Sequence, residues 1–303
     1  MSTQATRDPR AQLGEELHAL LRDHAAAADA IIPLAGAAYP GHLPRAFRVH
    51  CVDGRTLKLV RAAGPRQAAL VERISRHLDP HAFSPVLACA GAALLTPWVD
   101  GAPLHTAGWS AADVRGAGEL LAALHRTAPP RGATPVEDVR VAGYFSRLAA
   151  HLRALARHAL ISPVEQQVWL DAARAHAPAV AATGIIHRDI CAENLVRRRG
   201  GDLCVIDIET LTLGAYDYDL ARTWYRWPLD AAQRAVFRHA YGATAAAATP
   251  PSFPFWAICA LASSAQLRRR NHADAAAAPL HRLRGLIDAL RAGADGAQLA
   301  WQP

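Results

Sequence analysis

The sequence predicts an α+β chain folded in two lobes, a small sheet-based N-terminal lobe and a mostly helical C-terminal lobe. Three observations carry that expectation. Strand-like runs crowd the first hundred residues and are interrupted by one helical segment. From Ser110 onward nearly every apolar pattern has helical spacing. The exception is a polar, hairpin-like stretch at 187–209. Pro97 and Gly101 punctuate the chain between the two regimes, so the expected lobes are 1–97 and 98–303.

Asp8-Pro9 followed by Leu13, Leu17, Leu20 and Leu21 predicts a capped amphipathic helix at the start of the chain. Strands are expected at 31–34, 45–52 and 56–61, the last two joined by an Asp53-Gly54 turn. A helix over 65–78 would set Leu70, Ile74 and Leu78 on one face, and strands at 86–89 and 92–96 follow it. Ser110 is a fitting N-cap for a helix to His125. Further helices are expected at 144–158, with Phe145, Leu148, Leu152 and Leu155 in one stripe, and at 163–177, 230–241, 254–270 and 280–291.

A chain of 303 residues, 51% hydrophobic and 19% charged, can bury a sizeable core and is not disordered throughout. Residues 1–10 are polar and lack the apolar centre of a signal peptide, and no apolar run is long enough to span a membrane. The five cysteines are scattered without a Cys-x-x-Cys pair, which reads as reduced thiols in a cytoplasmic protein rather than a zinc site or disulfide framework. A formal charge of +7 raises nucleic acid as a partner. The arginines, however, are dispersed through helical patterns, with triplets only at 197–199 and 268–270, so the expectation is a solvated basic surface and no nucleic-acid partner. The chain is expected to be a monomer or homodimer.

The polar stretch reads His-Arg-Asp-Ile-Cys-Ala-Glu-Asn from His187 to Asn194. Asp189 and Asn194 lie five residues apart on a loop that a strand then leaves. The turn Arg199-Gly200-Gly201-Asp202 sends the chain back through an apolar run to Asp207, so both ends of the hairpin return to one place. Glu209, two residues on, would point to the same side of an extended chain. Lys58 is the chain's one lysine, in a run whose alternation separates Leu57 and Leu59 from Thr56, Lys58 and Val60. Between it and Asp79 the only acidic residue is Glu72, on the helical segment. A carboxylate able to take a hydroxyl proton, an amide and a carboxylate able to hold a divalent cation, and a compact ammonium are thus gathered in one chain.

With Lys58, Glu72, Leu94-Leu-Thr-Pro-Trp-Val-Asp-Gly101, the helix ending Leu120-Leu-Ala-Ala-Leu-His125, His187-Arg-Asp189, Asn194, Asp207-Ile-Glu209 and Asp217-Tyr-Asp-Leu-Ala221, the chain resembles the aminoglycoside phosphotransferase and choline kinase group of the protein-kinase-like fold. The resemblance implies an ATP- and Mg2+-dependent kinase that phosphorylates a hydroxyl of a small molecule. Asp189 would be the catalytic residue that orients the hydroxyl and takes its proton. Lys58 and Glu72 would form the ion pair that positions the nucleotide phosphates. Asn194 and Asp207 would hold magnesium; Glu209 would hold a second magnesium or the substrate, or be a surface carboxylate. Thr96, Pro97, Trp98 and Val99 would be the hinge whose backbone meets the adenine edge, or an ordinary linker. Asp219 would brace the catalytic loop by accepting its N–H groups, with His187 hydrogen-bonded inside that loop and Arg188 paired to a carboxylate.

Two departures from the pattern stand out. No Gly-x-Gly-x-x-Gly precedes the first strands, the nearest segment being Gly36-Ala-Ala-Tyr-Pro-Gly41, and Arg188 stands where relatives more often carry glycine or another small residue. Two further readings remain open: a non-catalytic, nucleotide-binding or regulatory protein of this fold, and a protein kinase. The latter is poorly served by the nine residues between Asp207 and Asp217, too few for an extended activation segment. From Thr210 to Pro303 there are six Asp and no Glu against ten Arg, which disfavours a polycationic aminoglycoside and suits an amino alcohol, sugar or less basic antibiotic. Trp224, Tyr225 and Trp227 would either cage a quaternary ammonium or pack in the core.

Overall fold

The structure, a computed structural model, describes residues 19–22, 28–34, 45–242, 252–271 and 273–293. The chain divides into two compact units. The first runs to Gly101 and takes in Pro130–Ala133 and Val196–Leu211; the second holds the remainder. The leading segment of the first unit ends at Gly101, and most of the hairpin predicted around 187–209 joins that unit.

The N-terminal unit is built on an antiparallel five-stranded sheet. Its strands are β1 (Ala28–Pro33), β2 (Ala46–Cys51), β3 (Thr56–Arg61), β4 (Ala88–Ala90) and β5 (Ala93–Pro97), in the order β1-β2-β3-β5-β4. The β2–β3 turn closes through Cys51 N–H to the Arg55 carbonyl (2.8 Å), with Gly54 at φ +83° supplying the left-handed residue that such a turn needs. Leu57 and Leu59 face a buried cluster with Phe47, Val49 and Leu95, and Leu20 and Leu21 from the helical residues 19–22 cover it. The alternation predicted for this strand therefore holds, and register sets Lys58 between Arg48 and Thr96. Helix α1 (Pro65–Ser75) begins with Pro65 in its first turn and ends three residues before the expected limit. Its buried side includes Leu70 and Ile74. The bulk of the predicted N-terminal helix and the segment Gly36–Gly41 lie outside the described residues.

Strands β8 (Leu195–Arg197) and β9 (Leu203–Val205) pair as the expected hairpin, closed by Arg198 N–H to the Asp202 carbonyl (2.9 Å). The hairpin is held within the N-terminal unit by Val205: its carbonyl accepts Ser84 N–H at 3.0 Å, and its N–H donates to Ala82 at 2.8 Å. That bonding explains why the hairpin clusters with the sheet-based unit.

Apart from the two-residue strand β6 (Ala102–Pro103) and the antiparallel pair β7 (Thr183–Ile186) and β10 (Thr212–Ala215), the second unit is helical. After the single turn α2 (Leu104–Ala107) come α3 (Ala111–Arg126), α4 (Val141–Arg157), α5 (Pro163–His176), α6 (Tyr216–Arg226), α7 (Ala231–Gly242), α8 (Phe253–Asn271) and α9 (Ala277–Arg291). Ser110 caps α3 in a capping box with Asp113, and Ser162 does the same for α5 with Glu165. Leu148, Leu152 and Leu155 on α4 form the predicted stripe against Phe255, Trp256 and Cys259 of α8 in one buried cluster. Helices α3 and α7 approach closely at Gly118: a Cβ there would stand 2.6 Å from the Phe237 carbonyl oxygen. The two-lobe α+β reading therefore matches the observed division into a sheet-based and a helical unit.

Candidate active site

The predicted residues fall in both units. In the first, Lys58 projects from the centre of β3 with its side chain only 12% exposed. Its ammonium is bonded to Asp207 and lies 3.9 Å from Glu209 Oε2. Burial opposes the Lys58 charge, but Glu209 and Asp207 outweigh it and hold the ammonium above its ordinary pKa. Glu209 moves up as well: burial is the main cause, Asp207 adds to it, and Lys58 only partly offsets the two.

Two expectations are corrected here. Lys58 does not meet Glu72. The Glu72 carboxylate accepts from Arg76 Nη2 at 2.6 Å, one helical turn along α1, while two carboxylates beside β3 take the ammonium. Nor is the chain extended from Asp207 to Glu209. Asp207 is left-handed (φ +59°) and starts a 3-10 turn over Ile208–Thr210, with Thr210 Oγ1 donating to the Asp207 carbonyl at 3.2 Å. The turn still brings both carboxylates to Lys58. Gln67, which sequence reasoning missed, anchors the exit from this turn: its Nε2 donates to the Leu211 carbonyl at 2.5 Å.

Glu209 is no surface carboxylate. Its Oε2 is buried and has no hydrogen-bond partner. A buried carboxylate oxygen that accepts no hydrogen bond, with only the Lys58 ammonium at ion-pair distance, fits a hard divalent cation, which takes oxygen ligands. Among the described residues no three His, Cys, Asp or Glu side chains gather as a metal cage. Magnesium does not demand one, since it is usually held by one or two carboxylates, phosphate oxygens and water.

Thr96 is buried at the end of β5, opposite Lys58. The Trp98 N–H is already bound, donating to the Thr56 carbonyl at 3.0 Å, so this hinge group is committed to the sheet rather than to a ligand. The Trp98 ring is covered by the Arg48 guanidinium, 4.4 Å from its centroid. Val99 follows, half-buried, outside the strand.

In the second unit Asp189 and Asn194 meet as the spacing predicts. Asn194 Nδ2 donates to the Asp189 carbonyl (2.8 Å) and to Asp189 Oδ2 (3.0 Å), which leaves the amide oxygen as the acceptor a cation could use. Asp219 braces this loop as expected, accepting His187 N–H at 2.7 Å and Arg188 N–H at 2.6 Å while fully buried. His125 Nε2 lies 3.1 Å from the same carboxylate, and its Nδ1 is 2.8 Å from the Tyr241 hydroxyl. Burial alone would raise Asp219; the hydrogen bond and charge of His125, with those of His187, win and hold it below the usual range. Arg188 is itself left-handed (φ +71°) and engages Asp219 through its backbone N–H.

Sequence reasoning missed two arginines here. Arg222 Nη2 donates to Asp189 Oδ1 at 3.2 Å, and Arg226 Nε stands 3.0 Å from the same oxygen. They lie one turn apart on α6, and Arg226 also pairs with Glu193. The aromatic cage is not built. Trp227 is buried edge-on to Trp109, Trp224 packs on Phe237, and Tyr225 already has Arg268 and Arg282 near its face.

A family model described as the phosphotransferase enzyme family matches residues 40–256. Among curated proteins there is no significant sequence match. Solved structures similar to this chain include choline kinase LicA from Streptococcus pneumoniae, with a TM-score of 0.64 at 10% identity over 91% of this chain and 97% of that one. An aminoglycoside-3'-phosphotransferase of type VIII gives 0.58 at 18% identity, covering 81% and 98%. Macrolide 2'-phosphotransferase MphH from Brachybacterium faecium gives 0.56 at 18% identity, covering 96% and 99%. At these identities the likeness is one of fold.

Proposed function

Because this chain belongs to the phosphotransferase enzyme family, whose model covers well over half of it, we propose that it transfers the γ-phosphoryl group of ATP to a hydroxyl of a small molecule. The observation that carries the proposal is the lone lysine bonded to Asp207 with Glu209 beside it, a buried charge cluster of the kind a metal–nucleotide site needs. Asp207 and Glu209 would hold magnesium, which would neutralise charge on the nucleotide phosphates, and Asn194 offers its amide oxygen as a further ligand. Lys58 supplies a compact cation for those phosphates, kept ionised by its two carboxylates. Asp189 accepts the hydroxyl proton as the acceptor oxygen bonds to phosphorus and the bond to the β-phosphate oxygen breaks. Asn194 fixes the Asp189 rotamer by its two donated bonds. Because charge in this transition state is spread over the phosphoryl oxygens, positioning counts for more than the basicity of Asp189.

The basic balance after Thr210 supports an acceptor that is neutral or singly charged, such as an amino alcohol, a sugar or a less basic antibiotic. Five free cysteines, and the supply of ATP, fit a cytoplasmic location; among the described residues no helix is long and apolar enough to cross a membrane. Incubation with ATP, magnesium and a panel of hydroxylated metabolites and antibiotics tests the proposal. Acceptor-dependent ADP formation with a phosphorylated product is the expected result. Nucleotide binding without transfer to any acceptor would instead mark a non-catalytic protein.

A further inference from the structure

The loop carrying Asp189 is held in an unfavourable backbone conformation. Arg188 has a long side chain at φ +71°, a region that residues other than glycine enter only when their surroundings force them. Both ends of that residue are gripped. Its N–H donates to Asp219 Oδ1 at 2.6 Å, and its carbonyl accepts from Arg222 Nε at 2.7 Å. The same guanidinium reaches past the strained residue to Asp189 Oδ1 with Nη2. One planar fork on a helix thus pins the carbonyl that ends the twist and the carboxylate that the twist presents. Arg226, one turn further along α6, reaches the same Asp189 oxygen with Nε and ties the loop again at Glu193.

We propose that Arg222 and Arg226 are positioning residues for phosphoryl transfer, with Arg222 the principal one because it holds main chain and side chain together. The inference rests on the reading of Asp189 as the group that meets the acceptor hydroxyl. Asp189 Oδ2 accepts from Asn194 and Oδ1 accepts from Arg222, with the Arg226 guanidinium at ion-pair distance from the same oxygen, so the carboxylate is held in one rotamer when an acceptor arrives. Helix α6 supplies the rigidity: it carries Asp219 as well, so the groups that bracket Arg188 sit on one element and move together. Arg222 meets the carbonyl with Nε and the carboxylate with Nη2, two nitrogens held apart in one rigid plane, whereas a lysine would present all its donors from a single nitrogen on a flexible stem and hold the two groups less rigidly.

The test compares R222M, R222K and R226M with the wild type by two independent readouts. In steady-state transfer, R222M lowers kcat by about 10- to 100-fold, while acceptor KM and magnesium-ATP thermal stabilisation stay within about threefold of wild type. R222K recovers part of the loss, and R226M shows a smaller loss. In hydrogen–deuterium exchange, the backbone over 187–190 loses protection in R222M and in part in R222K, with α4 and α8 unchanged. Should R222M fail to fold, R222K and R226M give the same ordered pattern. The proposal is overturned if kcat stays within about twofold and loop exchange is unchanged, or if the loss lies in acceptor KM alone, which would make the arginines acceptor ligands. If the wild type transfers phosphate to no acceptor, the functional reading falls, and the exchange experiment still decides whether the arginines hold the loop.

Discussion

Asp219→Asn is the perturbation whose consequence is best defined by the geometry. Three donors converge on this fully buried carboxylate: His187 N–H and His125 Nε2 on Oδ2, and Arg188 N–H on Oδ1. An asparagine has one acceptor oxygen. Placed at the Oδ2 position it serves His187 and His125 but turns its NH2 toward the Arg188 N–H; placed at Oδ1 it abandons two donors. At least one buried donor is therefore unpaired and the remaining bonds lose their charge. Each unsatisfied buried group costs about 1–3 kcal/mol and a charged hydrogen bond contributes about 1.5–3, so the substitution should cost about 2–4 kcal/mol. Asp219→Ala strands all three donors and, at about 3–9 kcal/mol by the same count, can reach the whole stability of an ordinary domain. Urea unfolding followed by circular dichroism at neutral pH measures the Asn variant. The sign of the pH dependence is also fixed. Asp219 is held below its ordinary pKa, so its contribution is complete above the unfolded value of about 3.9 and fades as pH falls through the folded value. The gap between wild type and Asp219→Asn should narrow on acidification. An Asn variant within about 0.5 kcal/mol of wild type, or a gap that widens in acid, would refute the brace.

Other substitutions test other parts of the account. Lys58→Arg keeps the charge but replaces a compact ammonium between two carboxylates by a broad fork; kcat/KM should fall by more than about tenfold, or about 1.4 kcal/mol, and an unchanged value would remove Lys58 from the nucleotide site. Glu72→Gln breaks only the pairing with exposed Arg76, worth about 0.3–0.5 kcal/mol, so turnover should be nearly unaffected and its effect additive with that of Lys58→Arg; strong coupling would restore the Lys58–Glu72 pair. Gly118→Ala forces a methyl group against the Phe237 carbonyl and should destabilise by about 1–2 kcal/mol once the better helix propensity of alanine is offset, as read by thermal or urea unfolding.

Much of this site was legible because its residues are unusual in the chain. A lone lysine on an alternating strand, and an Asp189–Asn194 spacing followed by a Gly-Gly turn, leave few structural alternatives, and both are found where the pattern put them. Glu72 shows the limit. Helical spacing places a carboxylate on a face of α1 but cannot say whether an ammonium on β3 or an arginine one turn away will take it. Glu209 was assigned to the right neighbourhood on an incorrect backbone, since nothing local to Asp207-Ile-Glu209 announces a left-handed residue and a 3-10 turn. Arg222 and Arg226 had a signal, two arginines at i and i+4 just after the Asp217 motif. The face of α6 that meets the loop is set by packing against α8, which involves residues far away in sequence. Helix limits moved by one to three residues, as at α1 and α9, where capping is weak.

The most direct measurement is acceptor-dependent release of ADP by wild type and Asp189→Ala, read beside magnesium-ATP stabilisation of both proteins. The account predicts that at least one hydroxylated acceptor accelerates ADP release by the wild type and that Asp189→Ala loses nearly all of this turnover. Its nucleotide stabilisation should persist, because Lys58, Asp207 and Glu209 are untouched. An Asp189→Ala variant retaining more than about half of the wild-type kcat, well inside the tenfold that 1.36 kcal/mol represents, would contradict the account.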